Sequence, residues 1–473
     1  MKYPRDLSGY GKLQPNFLWP NGSVIAVQFV INYEEGGENN ILHQDQGSEA
    51  FLSEIIGAES WKGKRHWNME SIYEYGARAG FWRLRNIFDA KGIPVTVFGV
   101  AEALARSPQQ VEAMIESDWE IASHGLKWIE YKNFSLQKER KFFRDALTLH
   151  KAVTGSEPLG WYLGRCSMNT VNMACEYGKF EYISDSYADD LPYWYDYKGQ
   201  KNLIIPYTLD ANDMRFATAQ GFNSGTQFFD YLKDTFDCLY QEGEKGHPKM
   251  MTIGLHCRLA GRPGRARAIE KFIDYILGHQ KVWCAKRVDI ARFWRENIPI
   301  KDNELLPSEM TKAEFISKYG NVFEHSDWIA AKTFEKNLSP QINSSTGLHQ
   351  LMCMNFRLAT EEQKMKTLLS HPDLAGKLAD LGKLTKESES EQASAGLDSL
   401  SEEQKREFRE LNNGYHKTFG FPFILAVKNK KPNEILSNIN LRMKNDRRQE
   451  FKTACNEVEK IARLRIHDLF EEL

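Results

Sequence analysis

Over the first three hundred residues, apolar and polar positions follow two alternating rhythms. Residues 23–31 (SVIAVQFVI) and 94–100 (PVTVFGV) are short continuous apolar runs rich in β-branched side chains, the pattern of strands buried on both faces. Between them, residues 73–90 carry apolar side chains at helical spacing. Residues 119–123, 203–207 and 250–256 read as further strands, and 135–153 and 265–277 as helices. Strand and helix in alternation predict parallel βα units. Their number over this length suggests a barrel, with chemistry at the ends of the strands. The rhythm changes near residue 300. Residues 298–310 (IPIKDNELLPSEM) hold two prolines and no periodicity, which predicts a linker. Beyond it, Thr311-x-x-Glu314 and Ser401-x-x-Gln404 are capping boxes that open helices. Phe408, Leu411 and Tyr415 lie at helical spacing, and Phe451, Ala454, Val458, Ile461 and Leu469 form one apolar stripe. Residues 423–427 are the main strand-like exception. The expected architecture is α/β plus all-α: a barrel over 1–300 and a helical domain over 311–473.

Composition narrows the class without choosing the chemistry. A chain of 473 residues exceeds what one compact core usually organises, in line with two domains. A net charge of -2 gives no electrostatic reason to expect nucleic acid or an anionic membrane as partner. No apolar run approaches a membrane span. The first 21 residues are polar and interrupted by Pro4, Pro15 and Pro20, so they lack a signal-peptide core. The 7 cysteines are scattered without a Cys-x-x-Cys pair and read as free thiols of a reducing compartment. The expectation is a soluble cytoplasmic protein.

Residues 32–38 (NYEEGGE) follow directly on the first strand, so Glu34 and Glu35 stand where a general base is useful. An isolated Glu-Glu pair is more often a solvated loop. Three other segments shift the weight: Ser123-His124-Gly125 with Trp128 beyond it, Leu163-Gly164-Arg165, and Gly254-Leu255-His256. Four strand ends that all deliver ionisable groups are hard to explain as packing. With DDLPYW at 189–194 and LHCRLAGRPGR at 255–265, these stretches resemble the polysaccharide deacetylase family, specifically its allantoinase branch, which implies a deformed (β/α) barrel. The family pattern has an Asp pair where this chain has Glu34 and Glu35, and a second metal-binding histidine where it has Trp128. The resemblance therefore implies hydrolysis without a required metal and with no cofactor. It implies opening of a hydantoin ring, with Glu34 as general base and His256 as acid to the departing nitrogen. Arg165 and His124 would stabilise the oxyanion or bind ureide oxygens. Glu35, Trp128, Asp189 and Asp190 would shape the pocket. Arg258, Arg262 and Arg265 are expected at the surface or an interface.

In the second domain, Pro372 suits the first position of a helix, which would leave His371 exposed at a helix N-terminus where the dipole lowers its pKa. A lone histidine there is more often a simple cap. Ser388-x-x-Glu391-Gln392 follows, and Arg465 falls on the apolar stripe of the final helix, where it needs an anion or must snorkel to solvent. The stretches GNVFEHSDW, HPDLAGKLA, LTKESESEQASAGL, FGFPFI and EVEKIARLR resemble the decarboxylase of 2-oxo-4-hydroxy-4-carboxy-5-ureidoimidazoline (OHCU) over nearly the whole domain. That resemblance implies His371 as general acid/base and Glu391 as its polar partner. Pro372, Ser388, Gln392 and the backbone of Phe423, Ile424, Leu425, Ala426, Val427 and Lys428 would line the pocket, and Arg465 would bind the substrate carboxylate. The two resemblances imply consecutive steps on small ureides, OHCU to (S)-allantoin and allantoin to allantoate, in a homo-oligomer of unspecified size. Two alternatives stand beside this: a carbohydrate N-deacetylase with a helical accessory domain, and a scaffold with one inactive domain. Trp128 and the absent secretion signal weigh against the first, and His371, Glu391 and Arg465 against decay of the second domain.

Overall fold

The computed structural model describes residues 5–11, 14–298, 306–336, 340–375, 385–428 and 430–471. The chain divides into two compact units, Met1–Ile300 and Lys301–Leu473. Residues 299–305 of the expected linker and 376–379 of HPDLAGKLA lie outside the described residues. Among the described residues no helix is long and apolar enough to cross a membrane.

The first unit is built on nine strands: β1 (Ile25–Tyr33), β2 (Val95–Gly99), β3 (Glu120–Ser123), β4 (Gly160–Trp161), β5 (Tyr182–Ile183), β6 (Tyr193–Tyr197), β7 (Gln200–Ile204), β8 (Lys249–His256) and β9 (Val282–Cys284). They form one sheet in the order β6-β7-β5-β4-β3-β2-β1-β8, with β9 also paired to β1. All pairs are parallel except β6 with β7. The sheet curves as the expected deformed barrel, with β1 buried along its whole length. Its apolar side chains pack with Phe81, Phe88, Phe236, Ile269 and Phe272 of the covering helices.

Register explains why chemistry gathers at one end. Asn32 of β1 lies opposite His256 of β8, Tyr33 opposite Gly99, and Gly99 opposite Ser123. These strands stop at one level, so Glu34, His124, His256 and Arg258 are delivered together.

The helix expected over 73–90 begins earlier and is interrupted. It runs as Trp67–Tyr75, a π-helical turn Gly76–Gly80, and Phe81–Lys91. Glycine is required here by close approach: a Cβ on Gly76 would lie 2.4 Å from Glu35 Oε1, and one on Gly80 2.0 Å from the Cys257 carbonyl oxygen. The wide turn thus lays bare backbone against the two strand ends that carry Glu35 and Cys257.

The second unit is helical. The described helices are Lys312–Tyr319, Trp328–Glu335, Ser345–Arg357, Glu361–Ser370, Lys386–Ser394, Glu402–Phe419, Pro432–Arg442 and Arg447–Glu471. Both predicted capping boxes form, at Thr311 with Glu314 and at Ser401 with Gln404. Among the described residues, the strand-like stretch 423–427 pairs with no other strand. It is an extended segment whose Phe423, Ile424, Leu425 and Val427 side chains fill the helical core, so their apolarity reflects burial.

Two candidate active sites

At the head of the barrel, Glu34 is the hub. Its Oε1 lies 3.3 Å from His124 Nε2 and 3.5 Å from His256 Nε2, and its Oε2 accepts from Arg258 Nη2 at 2.6 Å. All four side chains are buried. Burial opposes ionisation of Glu34, but the charges of Arg258 and His256 and the hydrogen bonds of both histidines outweigh it and hold its pKa well below the usual carboxylate range. His256 is flanked by a second carboxylate, its Nδ1 standing 2.6 Å from Asp213 Oδ1. Burial lowers the pKa of His256, yet Glu34 and Asp213 together carry it up to about 9. The site is therefore poised as an anionic glutamate beside a protonated histidine, the protonation states a base and an acid need.

The remaining neighbours have distinct parts. Glu35 braces backbone, accepting from the N–H groups of Glu34 (3.1 Å) and Arg258 (3.2 Å), and its Oε1 lies 3.6 Å from Arg258 Nη1. Burial raises its pKa. Trp128 stacks on Phe51 with ring centroids 5.9 Å apart, and guanidinium groups of Arg165 and Arg258 lie 4.8 and 5.1 Å from its ring. Arg165 is already engaged, donating to Glu130 at 2.9 Å, Glu49 at 3.2 Å and the Trp128 carbonyl at 3.3 Å.

Two expectations need correcting. Arg258 is fully buried between Glu34 and Glu35 and is no surface residue, because the chain turns inward as soon as β8 ends. Arg265 does sit at the periphery, paired with Glu54, and Arg262 lies over the Tyr75 ring. Asp189 and Asp190 are at the opposite end of the sheet. The Asp190 carbonyl accepts from Met250 at the start of β8, and the strand runs on to His256, about 20 Å further at ~3.3 Å per residue. The carboxylate at the end of β5 is Asp185, which accepts from Leu163 and Gly164 N–H and so fixes the loop before Arg165. Sequence reasoning missed Asp213 and Asp185. Each lies just beyond a strand end or a short bridge, without a repeated or paired motif to mark it.

A divalent cation, expected from the wider deacetylase pattern, does not fit these residues. The second oxygen of Glu34 is held by a buried guanidinium, and a divalent ion alongside would face that charge in a low-dielectric interior. Among the described residues no cluster of three or more His, Cys, Asp or Glu has metal-binding geometry.

In the helical unit, Arg465 is the hub. Its Nε and Nη2 donate to the two oxygens of Glu391 at 2.8 and 3.0 Å, a two-pronged pair. Nη2 also donates to Ser388 Oγ (3.1 Å), and Nη1 to Glu324 Oε2 (2.7 Å) and the Asn321 carbonyl (3.1 Å). Glu324 in turn accepts from Thr385 (2.7 Å) and Ser388 (3.0 Å). The arginine was expected to await an anion; it has two, because Glu324 and Glu391 converge on it from separate segments. Glu324, within GNVFEHSDW, was not singled out by sequence.

His371 caps the C-terminal end of Glu361–Ser370; it is not exposed at a helix N-terminus. It is buried, its Nε2 has no partner, and burial brings its pKa down to about 4, with Arg465 and His325 adding to the effect and Glu324 opposing it. The largest cause is desolvation. Glu391 binds Arg465, and the carboxylate whose charge His371 feels is Glu324. Gln392 accepts from Ala375 N–H at 3.0 Å, fixing the turn after half-buried Pro372. In the extended segment, Ile424 offers its carbonyl to Arg442 (2.7 Å) and Ala426 its N–H to Glu457 (3.0 Å), while Lys428 pairs with Asp468 (2.6 Å).

Comparison with known proteins separates the same two units. The polysaccharide deacetylase family profile matches residues 69–174, and the OHCU decarboxylase profile matches residues 308–467. A putative polysaccharide deacetylase of Schizosaccharomyces pombe is 42% identical over 318 residues, spanning 63% of this chain and 98% of that protein. A solved structure of a Puue allantoinase is 51% identical, covers 64% of this chain and 100% of its own, and superposes with a TM-score of 0.63. The 2-oxo-4-hydroxy-4-carboxy-5-ureidoimidazoline decarboxylase of Halalkalicoccus jeotgali is 38% identical over 162 residues, 34% of this chain and 88% of that protein. The chain belongs to the polysaccharide deacetylase family through its first unit and to the OHCU decarboxylase family through its second.

Proposed function

We propose that the chain is a bifunctional enzyme of urate degradation: the helical unit decarboxylates OHCU to (S)-allantoin, and the barrel hydrolyses that allantoin to allantoate. The observation that carries the reading is the pairing itself. One chain joins a relative of an allantoinase to a relative of the enzyme whose product an allantoinase consumes, and each unit assembles a buried ionic site.

In the barrel, Glu34 takes a proton from water as its oxygen bonds to the ring carbonyl carbon. The carbonyl electron pair moves onto oxygen. As it returns, the ring C–N bond breaks and His256 gives its proton to the departing nitrogen, a poor leaving group as an anion. Asp213 holds the imidazole in place. In the helical unit, the C–C bond to the carboxylate breaks and its electron pair enters the imidazoline ring. Carbon dioxide leaves, a proton from solvent neutralises the ring nitrogen that received the pair, and a second proton is delivered to ring carbon. His371, neutral at working pH, accepts the substrate hydroxyl proton and returns one to a single face. Arg465, with Ser388, orients the carboxylate. The substrates are small ureides.

Protein mixed with freshly made OHCU and followed by NMR is expected to show allantoin rising and then allantoate. Prior dialysis against a chelator is expected to leave the second phase intact. OHCU decaying only at its spontaneous rate, or an allantoate phase lost on chelation and restored by zinc, manganese or cobalt, rejects the corresponding half of the reading.

The ionic pair at His256 fixes the sign of a pH dependence. Its pKa is raised above the ordinary 6.5 to about 9, so the charged acid is present below that value and lost as pH rises through it. Allantoin hydrolysis is expected to fall on an alkaline limb near that pH. Asp213→Asn removes one of the two anions and is expected to move the limb to lower pH. A limb that stays in place in this variant rejects His256 as the titrating acid.

A further inference from the structure

Arg258 carries more than the charge balance of Glu34. Nη2 donates to Glu34 Oε2 at 2.6 Å and Nε to the Leu52 carbonyl at 2.9 Å. The guanidinium carbon lies 4.4 Å from the Tyr73 ring and 5.1 Å from that of Trp128, which holds the plane from the side. Nη1 is different. It is buried without a hydrogen-bond partner, standing 3.6 Å from Glu35 Oε1. The guanidinium is thus fully buried and fixed at two of its nitrogens, while the third has a 3.6 Å ion-pair contact with Glu35 and, among the described residues, no hydrogen bond, which leaves an N–H there for an acceptor that enters the site.

We propose that Arg258 is a catalytic residue of allantoin ring opening, its Nη1–H receiving the ring carbonyl oxygen on which negative charge grows. The proposal rests on the allantoinase reading of the barrel. When water adds to the carbonyl carbon, the π pair moves to oxygen, the water proton goes to Glu34, and the new oxyanion needs a fixed positive charge beside it. Arg258 meets that need without reorganising, because its position is set before substrate arrives. It also ties the oxyanion site to the base, since the same planar group binds Glu34. Arg165, the arginine expected in this role from sequence, is spent on Glu49 and Glu130. The guanidinium thus stands as the built-in cation of a site whose residues do not fit a divalent ion.

The test uses the full chain and allantoin. Arg258→Lys keeps the charge next to Glu34 but loses the planar two-sided donor. Its kcat is expected to fall about 100- to 1,000-fold, the usual effect of losing one oxyanion donor, with KM little changed. In Arg258→Ala, added guanidinium ion is expected to restore part of the lost rate, and ethylammonium is not. A Lys variant with near-normal kcat overturns the proposal, as does an Ala variant that folds and is not rescued. A Lys variant with no cooperative melting transition also overturns it, by making Arg258 a structural ion-pair member. Wild-type protein inactive on allantoin overturns instead the reading underneath.

Discussion

Arg465→Met is expected to destabilise the helical unit severely and to abolish decarboxylation. The side chain keeps its length and apolar stem, so lost packing is minor. What remains are Glu324 and Glu391, the first buried and the second largely so, both deprived of their cationic partner. Burial works to raise the pKa of Glu324, and Arg465 is the main charge that overcomes it. Removing one partner of a buried ion pair typically costs about 3–5 kcal/mol. The expected readings are a clear drop in melting temperature and turnover at background. A variant that melts like wild type yet does not turn over would show that the carboxylates are held by other groups and that Arg465 serves substrate alone. Near-normal turnover would reject both roles. The same geometry bears on how substrate binds. All three nitrogens of the guanidinium already donate, so a substrate carboxylate reaches Arg465 only by displacing one of its partners. Glu391 is the candidate to yield, its side chain being 17% exposed against 2% for Glu324.

What could be read from sequence follows the physical signals. Glu34, His124 and His256 stood out because each directly follows a short apolar run, and a strand buried on both faces leaves little doubt where it ends. The arginine of Leu163-Gly164-Arg165 shared that placement, but placement alone does not tell whether a charge is free, and Arg165 is neutralised by two glutamates. Arg258 was misjudged for the opposite reason. Three arginines within eight residues look like a solvated basic loop, and only the tertiary fold reveals that the first turns inward. Asp189 and Asp190 followed a strand too short, at two residues, to leave a periodic trace, so nothing in the sequence marked where that strand ends. Glu324 and Glu391 are 67 residues apart in sequence, and no local pattern announces that they share one arginine. Pro372 suggested a helix start after His371 where the structure ends a helix, and burial is the largest cause that lowers the pKa of that histidine.

Glu34→Gln and His371→Ala are expected to divide the two activities cleanly. Glutamine keeps the size of Glu34 but cannot take a proton, and it leaves Arg258 and His256 without the anion between them. Hydrolysis of allantoin is expected to fall by about 100- to 10,000-fold, the range for loss of a general base, with decarboxylation unchanged. The vacated charge also predicts a lower pKa for His256, since Glu34 is one of the two carboxylates that raise it. Any residual rate in Glu34→Gln is therefore expected to peak at lower pH than the wild type. His371→Ala removes a buried imidazole whose Nε2 makes no hydrogen bond, so no polar group is orphaned at that nitrogen and the fold is expected to persist. Decarboxylation is expected to fall to the spontaneous rate, and the product of that slow background is still expected to be hydrolysed by the barrel. The decisive comparison assays both variants on both substrates alongside their melting curves. If either substitution silences both reactions in a chain that still melts like wild type, the two sites are not independent and the assignment of one reaction to each unit is wrong. If Glu34→Gln retains full hydrolysis, the base lies elsewhere, and Glu35 is the next residue to test.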